Sequence, residues 1–129
     1  MIDSQTWIEI TRDLASKDVD IAVAACEALH ALADQDDVPR LLGLLADPDF
    51  FIREAAAWPL TELAGADALP QLLIAFQRGY DEGHDNDGFS TALLQIPALF
   101  PESKTQVAKL LDTAEGSQRE HLIWLMDFY

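Results

Sequence analysis

The sequence predicts an all-α protein: a right-handed α-solenoid of about four antiparallel helix pairs, in one domain over residues 1–129. Three observations carry this. First, Leu14–Leu45 and Leu45–Phe76 superimpose without a gap at a shift of 31 residues, from position 14 to position 45. Ile21 then falls on Ile52, Ala24 and Ala25 on Ala55 and Ala56, Leu29 on Leu60, Leu32 on Leu63, and Leu41 and Leu42 on Leu72 and Leu73. Repetition of apolar positions at such a period marks units that bury their faces on one another. Second, hydrophobic residues make up 50% of the chain, and the helix formers Ala and Leu are its most frequent residues. Third, Pro39, Pro48 and Pro70 fall in the first turns of the periodic segments and Gly65 and Gly79 at their ends, as helix punctuation requires.

In order, the first helix is predicted over about 4–16, with Asp3 or Ser4 as its cap and Trp7, Ile10, Thr11 and Leu14 on one face. Asp18 caps a second helix, about 19–33, with Ala22, Ala25, Leu29 and Leu32 inward. The acids of Asp34–Asp37 favour the positive end of a third helix, about 38–46, which carries Pro39 in its first turn. The fourth helix, about 48–64, opens on Pro48, and Pro59 inside it must forfeit a backbone hydrogen bond and kink it. The fifth helix, about 67–78, ends at Gly79.

The third copy is interrupted. Pro59 matches Pro97, and Leu69, Leu72 and Leu73 match Val107, Leu110 and Leu111, at a shift of 38 instead of 31. An insertion of about seven residues is therefore expected as a loop at about 79–88. Helices six to eight follow at about 89–100, 103–113 and 117–128. The last ends in an apolar run from Leu122 to Tyr129, which either folds back on helices six and seven or presents an adhesive patch. No apolar run approaches the ~20 residues of a membrane span. The first residues have neither a basic nor an apolar leader segment.

Twenty-three acids against eight bases give a net charge of −15. Such a surface repels nucleic acid and anionic membranes, since neutralising phosphates requires Lys and Arg. It favours a basic protein partner, or serves solubility alone. A single cysteine, Cys26, forms no internal disulfide and suits a reducing cytoplasm. It reads as an inert filler on a helix.

The segments Asp47-Pro48-Asp49, Ile52-Arg53, Ala55-Ala56, Leu60, Leu63 and Ala68–Leu73 resemble the HEAT-like repeats, in the short bacterial form also found in phycobilin lyases. The first copy departs from the pattern: Ala22 stands where Arg53 stands in the second, leaving Arg53 as one rung of any arginine ladder. The resemblance implies that the second helices of the pairs line a concave face, where family members hold their ligands. At about 100° per residue, Phe51, Glu54, Trp58 and Glu62 leave the core side of the fourth helix. Their counterparts are Asp20, Val23, Glu27 and Ala31 in the second helix, and Phe89, Ala92, Ile96 and Phe100 in the sixth. Aromatics inside an acidic rim form a candidate partner-binding stripe, centred on Phe51, Glu54, Trp58 and Glu62 with Asp20 and Glu27. The alternative is that Phe51 and Trp58 wedge against neighbouring helices.

The loop residues Tyr80, Asp81, Glu82, His84, Asp85 and Asp87 are the second candidate, as a recognition loop or as a solvated loop whose Asp87 caps the sixth helix. Its calcium-loop likeness fails, because Gly83 and Leu94 occupy the first and twelfth ligand positions. One cysteine and scattered histidines make no zinc site. Deoxyhypusine hydroxylases resemble this fold but hold iron with His-Glu pairs. Here His30, His84 and His121 precede Ala31, Asp85 and Leu122. No catalytic residues, metal or cofactor are therefore expected. The sequence points to a cytoplasmic, non-catalytic binding module, monomeric when free. Its sharpest form is a bacterial immunity protein that neutralises a basic toxin domain. A general scaffold and a bilin lyase-like tetrapyrrole binder are the alternatives.

Overall fold

Local sequence rules set the helix starts in the computed structural model, which describes residues 1–129. Asp3 accepts the Thr6 amide at 2.9 Å and starts α1 (Ser4–Leu14). Asp18 accepts the Asp20 amide at 3.0 Å and starts α2 (Val19–Leu32). A 3-10 turn at Gln35–Asp37 leads into α3 (Val38–Leu44). The Asp49 carboxylate accepts the Phe51 amide at 2.8 Å and starts α4 (Phe50–Ala64), so Pro48 lies just outside the helix it was expected to open. A second 3-10 turn, Gly65–Ala68, leads into α5 (Leu69–Asp81). The chain finishes with α6 (Asp87–Leu99), α7 (Lys104–Thr113) and α8 (Gly116–Met126).

These eight helices form an α-solenoid. The first pair packs α1 on α2 and the second α3 on α4, while α2, α4 and α6 lie side by side. The last helix packs on α5 and α7 and touches α6. One apolar cluster runs through the whole stack, from Ile2 and Leu14 through Leu29, Leu60 and Phe76 to Val107 and Leu125. The alanines of α4, Ala55, Ala56 and Ala57, are buried and let α2 and α6 approach from either side. Asp37 is also buried, where it accepts the Ile2 and Asp34 amides and lies 3.5 Å from Arg40.

Three expectations are corrected. The insertion is not a long loop: α5 continues through Gly79 to Asp81, and only residues 82–86 separate it from α6. The reason is Asn86. It folds against Gly79 and donates from Nδ2 to the Phe76 carbonyl at 2.8 Å, so the chain reverses tightly. Second, Leu32 is 54% exposed, because it sits in the last turn of α2. Third, Phe89, Ala92 and Ile96 are buried instead of facing outward, since α6 has α4, α5 and α8 as neighbours. Pro59 and Pro97 lie inside α4 and α6 as expected, and both helices continue past them. The apolar tail folds back, packing mainly on α5 and α7. Leu122 and Leu125 are buried and the Tyr129 hydroxyl meets Ser103 at 2.6 Å, while Ile123 and Phe128 remain exposed.

Candidate functional site: an acidic cleft across α2, α4 and α6

Small residues on three adjacent helices leave a gap that no side chain fills. The resulting cleft, about 270 Å³, is lined by Cys26 of α2, by Phe51, Glu54, Ala55 and Trp58 of α4, and by Gly88, Thr91, Ala92 and Gln95 of α6. Its walls are mainly apolar. Its one charged lining group is Glu54, whose carboxylate lies over the first turn of α6, so close that a Cβ on Gly88 would fall 2.7 Å from Oε1. None of the chain's ion pairs includes Glu54. Burial, and next the nearby Asp85 charge, push its pKa above the ordinary carboxylate value. Burial, with Glu54 and Glu27 beside it, likewise pushes the Cys26 thiol up, which keeps it protonated and weakly nucleophilic.

Three of the predicted stripe residues, Phe51, Glu54 and Trp58, come together here. Trp58 is 44% exposed and does not wedge into the core. It stacks on His30 with ring centroids 4.5 Å apart, and His30 Nε2 meets Glu62 at 2.8 Å. His30 and Glu62 thus brace the tryptophan from two consecutive repeats. Asp20 and Glu27 are exposed on α2, outside the cleft lining.

The loop candidates separate into three groups. Glu82 serves α4: its carboxylate takes the Arg53 guanidinium at 2.5 Å and Arg78 at 2.9 Å, and these bonds hold its pKa below the ordinary value. His84 stacks on Phe50 with centroids 4.4 Å apart. Asp85 accepts the Asp87 amide at 2.9 Å in the turn before α6, whose cap position is Asn86 and not Asp87 as expected. Asp87 is exposed in the first turn. Tyr80 and Asp81 belong to α5. Tyr80 stands edge-on to Phe76, and Asp81 accepts from Gln77 at 2.8 Å.

Sequence reasoning missed Cys26, Gly88, Thr91 and Gln95 in the cleft, and His30 behind Trp58. The available signal was the run of small residues on successive repeats, where Ala24 and Ala25 match Ala55 and Ala56. Arg53 is wholly buried. It bonds the Asp47 and Pro48 carbonyls at 3.0 Å as well as Glu82, so it offers nothing to a ligand. No group of three or more His, Cys, Asp or Glu side chains is placed to hold a metal ion. No helix is long and apolar enough to cross a membrane.

Stacked helix pairs with an unfilled cleft on their shared face define a repeat-type binding scaffold. The family model described as HEAT repeats matches residues 4–83, more than half of the chain, and the protein belongs to that family. Searches of the curated proteins and of the solved structures return no match.

Proposed function

We propose that this HEAT-repeat protein is a non-catalytic protein-binding module whose partner is basic and docks on the face shared by α2, α4 and α6. One observation carries the reading. Those three helices hold Asp20, Glu27, Glu54, Glu62 and Asp87, and their one Lys or Arg is Arg53, buried and already paired. Every other base, Arg12, Lys17, Arg40, Arg78, Lys104, Lys109 and Arg119, lies on another helix or in a turn. An acid surplus kept for solubility alone has no reason to exclude cations from one face. Complementary charge speeds encounter and fixes orientation, and the half-exposed Trp58 supplies an aromatic anchor.

The sharpest form of this reading is an immunity protein, with a basic toxin domain as the partner. The tetrapyrrole alternative loses support: the cleft, about 270 Å³, is smaller than the roughly 300–1,000 Å³ of ordinary ligand pockets, and Arg53 is buried and engaged.

The test is affinity capture from source-cell lysate at low and high salt, with the wild type beside a variant carrying Asp20→Asn, Glu27→Gln and Glu62→Gln. A basic protein should be retained by the wild type at low salt and released at high salt, where the Debye length shortens. The variant should lose it. Equal retention by both chains removes the acidic face from any role. A toxin domain among the retained proteins supports the immunity reading, and its absence from a clean set of basic partners leaves the plainer scaffold.

A further inference from the structure

We propose that the cleft between α2, α4 and α6 is an anchor pocket for one arginine side chain of the basic partner, its stem against Phe51, Ala55 and Ala92 and its guanidinium on the Glu54 carboxylate. The inference rests on the binding face described above and specifies its centre.

Size comes first. At about 270 Å³ the cleft suits one long side chain better than a cofactor. Chemistry comes second. The lining is apolar along its length and carries a single carboxylate, which matches a side chain with a hydrocarbon stem and a charged head. Charge comes third. Glu54 is half buried and Asp85 lies near it, yet no cation of the chain pairs with either. An uncompensated carboxylate in an apolar cleft costs stability that an incoming cation returns. Trp58, on the same lining, adds an aromatic surface on which a planar guanidinium stacks better than an ammonium. Thr91 and Gln95 offer side-chain oxygens for the remaining N–H groups.

The site is built by tertiary packing. Glu54 can lie where it does because position 88 is glycine, and α6 presents its first turn there. That helix end tolerates the negative charge while the pocket is empty.

The probe is the capped tripeptide acetyl-Gly-Arg-Gly-amide, titrated at low ionic strength into the ¹⁵N-labelled full chain. The citrulline peptide, a neutral isostere, runs in parallel. Saturable shifts are expected at the Trp58 indole N–H and at the Gly88, Thr91 and Ala92 amides. The citrulline peptide should bind at least tenfold more weakly. Glu54→Gln should abolish the response, with its amide dispersion reporting an intact fold, and Glu120→Gln, on α8, should leave it unchanged. Gly88→Ala provides a second variant, since its Cβ would displace the carboxylate without removing the charge; it should also weaken binding. Shifts spread evenly over the acidic surface, equal binding of citrulline, no binding, or a Glu54→Gln variant that titrates like the wild type would each overturn the pocket. The two readings fail separately. A chain that captures a basic protein but shows no cleft response keeps its binding face and loses its anchor.

Discussion

The guanidinium of Arg53, at the start of α4, bonds the carboxylate of Glu82, just past the end of α5, at 2.5 Å while remaining wholly buried. It also closes the Asp47 and Pro48 carbonyls, so one side chain joins the α3–α4 turn to the α5–α6 turn. Arg53→Ala should cost about 2–5 kcal/mol, the range for emptying a large buried site, and Arg53→Met should cost less because it refills the volume. Urea denaturation measures both. Glu82 is held below its ordinary pKa by Arg53 first and Arg78 second. Its contribution is therefore full above the unfolded carboxylate pKa, near 4.5, and is lost as the pH falls through the lower folded value. The stability difference between wild type and Glu82→Gln should shrink over that acid range; a difference independent of pH would contradict the pairing.

Gly79 and Asn86 are the next coupled pair. A Cβ at position 79 would sit 2.3 Å from Asn86 Oδ1, so the asparagine would have to leave its bond to Phe76. Gly79→Ala should destabilise by about 1–3 kcal/mol, as overpacking does, although alanine is the better helix former. In an Asn86→Ala background the same change should become neutral or stabilising. A double-mutant cycle by thermal denaturation gives the coupling, and additive single effects would dismiss it.

Glu54 carries the opposite sign to Glu82. Burial first, and Asp85 second, raise its folded pKa, so the folded state holds its proton more tightly than the unfolded one. Stability should fall as the pH rises from the ordinary carboxylate value, near 4.5, through the raised value. Glu54→Gln should be more stable than the wild type at pH 7 and should match it more closely in acid. Chemical denaturation of both chains across that range reads the difference. Superimposable pH curves would show a carboxylate already compensated.

At the other end of the stack, the Tyr129 hydroxyl and Ser103 share a hydrogen bond of 2.6 Å, which pins the chain end on the α6–α7 turn. Tyr129→Phe keeps the ring and removes the bond. It should cost about 0.5–1.5 kcal/mol, together with faster amide exchange in the last turn of α8. Unchanged exchange there would mean that apolar packing alone holds the tail.

The helices themselves were legible in the sequence because their causes are local. Asp3 and Asp18 cap the helices they were expected to cap, and the 31-residue repeat placed Leu29, Leu60 and Leu72 in one core. The HEAT assignment rests on the same repetition. Net charge was equally plain, being a sum over residues that needs no coordinates.

Tertiary structure decided which side of each helix meets what. A helical wheel shows that Phe51, Glu54 and Trp58 share a side, but not that Gly88 and Cys26 complete a cleft with them. It assigned Phe89 and Ile96 to solvent because it cannot see α5 and α8 closing over them. Nor does any sequence rule join Arg53 to Glu82 or fold Asn86 onto Gly79, residues separated by a helix or a turn and brought together only by packing. Backbone hydrogen bonding and capping act over three or four residues. Burial, ion pairing and the vacancy left between small side chains belong to neighbours that the fold alone supplies.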